Sequence, residues 1–161
     1  MNTHFTYLLK TDDDTFINIK KAVEDLQIMK KENQSNFLWW STFREGWIVQ
    51  SFGKWREDAY RSTTYPPFPC GAGYVLSRDL VQFLGQDAHN FLYKDFQGED
   101  VSLGIWLAGL NPTRVNNNNN FCAWTCVSKC NPNACNRAEL SVKAMYQAWD
   151  SLRKCNNFCG C

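Results

Sequence analysis

Three adjacent aspartates, Asp12 to Asp14, stand where an apolar run ends and an amphipathic one begins, in the stretch YLLKTDDDTF. At ~5 Å and an effective dielectric near 20, two such charges repel by roughly 3 kcal/mol. A fold that keeps all three ionised must bring something to that point to offset the repulsion. His4 to Lys10 is apolar and β-prone and reads as a buried strand running straight into the acids. From Phe16 to about Lys31, the residues Ile19, Ala22, Val23, Leu26 and Met29 recur at the three- and four-residue spacing of one helix face. The order strand, acidic turn, helix predicts an α/β fold.

Two chemistries suit such a turn. Clustered carboxylates can hold a hard divalent cation, Mg²⁺ or Mn²⁺, which cancels their repulsion. Equally, Asp14 and Thr15 can cap the helix, with Asp12 and Asp13 favoured near its positive end. An EF-hand loop counted from Asp12 does not fit, since Ile17 stands at its sixth position in place of glycine and Val23 at its twelfth in place of glutamate. Taken alone, the motif leaves cation and cap both open.

With 161 residues, 44% of them hydrophobic and 15% aromatic, the chain can bury one good core. A formal net charge of +1 gives no basic excess for a nucleic acid or an anionic membrane. No apolar run approaches the ~18 residues of a membrane span, and MNTHFTYLLK lacks the features of a signal peptide. Yet seven of the eight cysteines follow residue 121, a density typical of disulfide-forming compartments. The two readings agree only if an N-terminal piece precedes this sequence.

Further along, Asn33 to Asn36 breaks the first helix, and the aromatic-rich NFLWWSTFREGWIV predicts short strands with a turn at Gly46. YPPFP, Tyr65 to Pro69, cannot be helical and is not expected inside a sheet. CGAGYVLS then gives a Gly-rich turn and a short strand, with Ser77 capping a helix over Arg78 to Leu84. GEDVSLGIWLAGL reads as an apolar helix with Glu99 and Asp100 in its first turn, ended by Asn111-Pro112. The pair is either a cap or includes a general base held ionised by helix N-terminal amides. The small residues of CGAG, between the two acidic sites, would let a bulky ligand approach the backbone.

The asparagines at 116 to 120 form a low-complexity loop, and Asn136 with Glu139 makes a capping-box pattern opening a last helix through about Leu152. Cys122, Cys126, Cys130 and Cys135 lack the close CxxC pairs of a zinc site, which favours disulfides, with no pairing fixed by the sequence. Asn33-Gln34-Ser35 is an N-glycosylation sequon, used only on entry to the secretory path.

The ordered blocks LLKTDDDTF, WW, FGKW, YPPFPCGAGYVLS and GEDVSLGIW resemble those of the β-1,3-galactosyltransferase family of inverting glycosyltransferases. WW, FGKW, GEDVSLGIW and the terminal CNNFCGC look most like a member that transfers N-acetylgalactosamine. The resemblance implies the C-terminal part of a GT-A type glycosyltransferase domain, with a mixed sheet, flanking helices and a Cys-rich tail. It implies a partial catalytic core over 1–115, an Asn- and Cys-rich loop over 116–135, and a helix with a Cys tail over 136–161. Asp12 to Asp14 would be the family's DxD motif, which carries Mn²⁺ on the diphosphate of a UDP-sugar. Asp14, with Asp12, would hold the metal, while Asp12, Asp13 and Glu99 would support the donor side. Gly71, Ala72 and Gly73 would line the donor-sugar pocket. Asp100 would be the base that takes the acceptor proton, and Trp39, Trp40, Lys54 and Trp55 would meet a glycan or glycoprotein acceptor.

The family's metal-binding His after this helix has no counterpart: Thr113, Arg114 and Val115 occupy that stretch, and His4 and His89 lie elsewhere. The resemblance also implies a type II membrane protein of the Golgi or endoplasmic reticulum lumen, anchored through a segment missing from this chain. A catalytically inactive lectin-like or scaffold remnant is the alternative reading, and a small secreted disulfide-rich binding protein is the more remote one. Without the family's first nucleotide-binding half, this chain alone is expected to bind UDP weakly or not at all. Isothermal titration with UDP and Mn²⁺ measures this, and micromolar affinity contradicts it.

Overall fold

A computed structural model describes residues 4–87, 94–116, 121 and 129–161. Its centre is a four-stranded mixed sheet in the order β1 (Tyr7–Lys10), β4 (Phe68–Ser77), β3 (Leu38–Arg44), β5 (Thr113–Asn116). β4 pairs antiparallel with both neighbours, and β5 joins β3 in parallel. A second, two-stranded ladder pairs β2 (Phe16–Ile17) with β6 (Asn136–Arg137). Helices α1 (Ile19–Lys31), α2 (Arg78–Asp87), α3 (Glu99–Leu107) and α4 (Val142–Cys155) flank the sheets.

Residues alternate across a strand, so Trp39 and Trp40 point to opposite faces of β3. Trp40 enters one core with Ala22, Leu26 and Met29 of α1. Trp39 enters the other with Leu80 of α2 and Leu103 and Leu107 of α3. Their exposures of 1% and 0% correct the expectation that this pair meets an acceptor: neither indole can reach a ligand. β3 lies inside the sheet with helices on both faces, so its residues face cores in both directions.

Three local readings also change. The first helix begins at Ile19, with Asn18 Oδ1 accepting from the Lys21 N–H at 3.2 Å, because Phe16 and Ile17 are drawn into the ladder with β6. The expected capping box fails for the same reason: Asn136 is a buried strand residue, and the last helix is capped by Ser141. Pro69 does sit within β4, paired with Phe43. The strand tolerates it because β1 covers only Tyr74 to Ser77, leaving the first half of β4 an edge on that side.

The β3–β4 register jumps from Ser41–Tyr74 to Phe43–Pro69, so Cys70 to Gly73 stand opposite the single residue Thr42. Side chains satisfy the carbonyls this frees. Lys10 Nζ donates to Gly71 O at 3.0 Å, Thr11 Oγ1 and Asn136 Nδ2 to Ala72 O at 3.0 and 3.2 Å, and Ser41 Oγ to Gly73 O at 2.8 Å. The bulge therefore leaves the ladder without orphaning these buried acceptors.

The tail is held by disulfides Cys130–Cys159 and Cys155–Cys161, while Cys70 and Cys135 are buried free thiols. His89, Cys122, Cys126 and the asparagines at 117–120 lie outside the described residues.

Helix α3 packs directly on β4. A Cβ at Gly104 would lie 2.5 Å from Phe68 Cβ and 2.9 Å from Pro67 O. Gly104→Ala is expected to push α3 off the sheet and cost about 1–3 kcal/mol, read as a lower chemical-denaturation midpoint.

Candidate active site

β1 ends at Lys10, and the chain turns through the aspartates, with Thr15 N–H donating to Asp12 O at 3.2 Å. Helix α1 starts beyond this turn and has no acid in its first turn, so helix capping does not explain the run. At Asp12 the offset comes from Lys10. Its ammonium lies 2.8 Å from Asp12 Oδ1 and 2.8 Å from Glu99 Oε2, joining the end of β1 to the start of α3. Burial works against the Lys10 charge, but the bonds to Asp12 and Glu99 prevail and hold its pKa above the ordinary value. Tyr74 donates its hydroxyl to Glu99 Oε1 at 2.6 Å, and burial together with that bond pushes the phenol pKa well up.

A cavity of about 340 Å³ opens over the bulge. Asp12, Asp14, Gly71, Ala72, Lys54, Trp55 and Asp100 all border it. A Cβ on Gly71 would lie 3.3 Å from Asp12 Oδ2 and 3.5 Å from Asp100 Oδ2, so glycine here lets carboxylates from two elements converge. Not every expected residue joins them. Asp13 lines a neighbouring groove against α4, with Asp14 bordering both spaces. Gly73 packs against Phe121 and Asn136. Glu99 is turned to Lys10 and Tyr74.

Asp100 has the electrostatics of a base. Burial raises its carboxyl above the ordinary range, with the Glu99 charge adding to this. The Val101 N–H, donating to Oδ1 at 2.8 Å, and the Arg44 and Lys10 charges pull the other way without overcoming it. A carboxylate with a raised pKa accepts a proton more readily at neutral pH than an ordinary one.

Several contributors were not evident from sequence. Lys10 and Tyr74 carry no motif beyond strand residues. Arg44 borders the cavity with its guanidinium 5.0 Å over the Trp47 ring and 5.7 Å over that of Phe68. Glu57 is buried and accepts backbone N–H bonds from Ala59, from Tyr60 at 3.2 Å and from Gln97 at 2.8 Å. It ties the loop carrying Lys54 and Trp55 to the residues leading into α3. Gln97 Nε2 adds a bond to Lys54 O at 3.2 Å. Trp55, 50% exposed, and Trp47, 39% exposed, form an aromatic rim suited to the apolar face of a sugar.

Asp12 and Asp14 offer hard oxygen donors to one cavity, the donor type that suits Mg²⁺ or Mn²⁺. Among the described residues, no three His, Cys, Asp or Glu side chains gather into a metal cage. Two carboxylates on one cavity are fewer than the oxygen donors such an ion takes, so they form no complete cage by themselves. Among the described residues, no helix is long and apolar enough to cross a membrane.

Comparison with known proteins shows which sequences this chain resembles. Over 159 residues the chain is 39% identical to UDP-GalNAc:beta-1,3-N-acetylgalactosaminyltransferase 2 of Xenopus tropicalis, covering 99% of this chain and 31% of that protein. The human protein of that name is 38% identical over 159 residues, 99% of this chain and 30% of its own length. Mouse beta-1,3-galactosyltransferase 6 is 37% identical over 111 residues, 68% of this chain and 33% of its own. The chain thus spans about a third of the length of these curated relatives. The family profile described as Galactosyltransferase matches residues 1–118, and the chain belongs to that family.

Proposed function

We propose that this chain is the metal- and base-bearing part of a transferase that moves a hexose or N-acetylhexosamine from UDP to a hydroxyl of a glycan or glycoprotein, in β-1,3 linkage with inversion. The observation that carries the reading is the convergence of Asp12 and Asp100 on Gly71 from two different elements. The names of the relatives at 38–39% identity favour N-acetylgalactosamine as the sugar.

In a single displacement the acceptor oxygen bonds to the anomeric carbon as the bond to the UDP oxygen breaks. Asp100 takes the acceptor's proton on the face away from UDP. Asp12 and Asp14 would hold Mn²⁺, and the cation when bound would supply positive charge to stabilise the leaving group. Lys10 fixes Asp12 and keeps the metal side in register with Glu99, the neighbour of the base. Gly71 and Ala72 leave room for the sugar, and Lys54, Trp55 and Trp47 border the acceptor side.

We place this work in the Golgi or endoplasmic reticulum lumen, as part of a type II membrane protein; the disulfides Cys130–Cys159 and Cys155–Cys161 support an oxidising lumen. The exposed Asn33 of the sequon suits the same setting.

Two measurements on one variant test the role of Asp100 in the protein that carries this chain. Asp100→Asn is expected to lower transfer by about 10²–10⁴-fold while Mn²⁺-dependent UDP binding, followed by titration calorimetry, stays intact. Loss of UDP binding would instead assign Asp100 to the donor. The same variant is expected to melt at a higher temperature at pH 7. A carboxyl whose folded pKa lies above its unfolded value of 3.8 opposes folding once ionised. The penalty is absent below about pH 3.8, grows as pH rises, and is complete above the folded pKa. The gain in melting temperature should therefore shrink on acidification.

A further inference from the structure

Between β3 and β4 the chain leaves the sheet for residues 45–67, a long loop held by the isolated bridges Ile48–Thr64 and Gln50–Arg56. This loop gives the cavity Trp47, Lys54 and Trp55, while Gln97, Gly98 and Asp100 border the same space from the entry to α3. A loop of this length keeps functional side chains in place only where something fastens it.

Glu57 is that fastening. It is buried, and a carboxylate so placed costs free energy unless its oxygens are bonded. Oε1 accepts from the N–H of Ala59 and, at 3.2 Å, from that of Tyr60, inside the loop. Oε2 accepts from the Gln97 N–H at 2.8 Å, 40 residues away in sequence. Burial opposes the charge, yet the bonds from Gln97, Ala59 and Tyr60 and the Lys94 charge hold the carboxyl below its ordinary pKa. Two further contacts repeat the joint. Gln97 Nε2 donates to Lys54 O at 3.2 Å, and the Tyr60 ring meets Phe96 edge to face at 5.4 Å.

Glu57 does not border the cavity, so it acts through residues that do. The joint falls on the side of the base: its partner segment runs straight into α3, which carries Asp100, whereas Asp12 and Asp14 sit on the turn after β1. A sugar lying on Trp55 is therefore placed relative to the base rather than to the cation. That placement matters, since a misplacement of about 1 Å can cost ~10²-fold in rate.

We propose that Glu57 is a positioning residue for the acceptor. By clamping the Lys54–Trp55 loop to the segment entering α3, it sets where the acceptor hydroxyl comes to rest beside Asp100. The inference rests on the proposed transferase reading and adds to it a residue, remote from the chemistry, that governs use of the acceptor and not of the donor.

The test uses the protein that carries this chain, with methyl β-galactoside and methyl β-N-acetylglucosaminide as acceptor probes. Glu57→Gln puts an NH₂ group where an N–H must be accepted. It should raise the acceptor KM, and the calorimetric Kd, by roughly three- to ten-fold and lower kcat by up to about 10²-fold. The KM for the UDP-sugar and the Mn²⁺-dependent Kd for UDP should not change. In a Trp55→Ala background the same substitution should raise the acceptor KM by about two-fold at most, because the ring it places is gone. Tyr60→Leu loosens the same joint without removing a buried charge and should shift the acceptor KM in the same direction. Thermal melts establish which variants fold, and Tyr60→Leu carries the test where Glu57→Gln does not. Equal rises in donor and acceptor KM, an unchanged acceptor KM in a folded variant, or full additivity with Trp55→Ala overturn the positioning role. Acceptor binding that weakens in Glu57→Gln, in a protein without transfer, keeps the clamp and defeats the transferase reading, whereas transfer with an unaltered acceptor KM does the reverse.

Discussion

The structure hinges on the four residues of β4 that stand opposite one residue of β3. A sheet can carry such a bulge only if the carbonyls it frees find donors. Here they come from β1, from the turn after it, from β6 and from β3, so Lys10, Thr11, Asn136 and Ser41 all close on one short backbone segment. One backbone irregularity thereby positions the acidic turn, the second ladder and the cavity. Gly71 and Gly104 are small for related reasons, one admitting two carboxylates and the other admitting α3 to the sheet.

Lys10 offsets the charge of Asp12 within the acidic run and links that residue to a second acid across a tertiary gap. Its partners are Asp12, two residues away in sequence, and Glu99, which only the fold brings near. The pairing divides labour between the adjacent acids of α3. Glu99 is engaged by Lys10 and Tyr74, while Asp100 faces the cavity with a raised pKa.

Legibility followed the range of the interaction. Strand, acidic turn and helix were readable in order because each is set by local period and composition. The helix at Glu99 was readable because its apolar run is long. What failed depended on distant partners. Phe16 and Ile17 look helical until Asn136 and Arg137 pair with them, and that pairing also removes the expected cap at Asn136. Trp39 and Trp40 resemble a stacking surface because sequence does not reveal that β3 is covered on both faces. Asp12, Asp14, Gly71, Ala72 and Asp100, singled out from family resemblance, border one cavity, but the residues that hold them there were invisible. Lys10, Arg44 and Glu57 are ordinary charged residues until folding supplies their partners.

Cys70 and Cys135, the free thiols among the described residues, add a temporal dimension to the disulfide tail. Cys135 donates to Asp25 at 3.3 Å inside the α1 core, and burial followed by that bond raises its pKa far enough to suppress the thiolate. Thiol exchange runs through the thiolate, so Cys135 is inert only while that core is closed. Cys70 is also buried, with Arg44 Nη2 donating to its Sγ at 3.7 Å. Pairing of Cys130 with Cys159 and of Cys155 with Cys161 therefore depends on order of assembly: wherever thiols are being oxidised, Cys70 and Cys135 compete for those pairs until the sheet and α1 have closed over them.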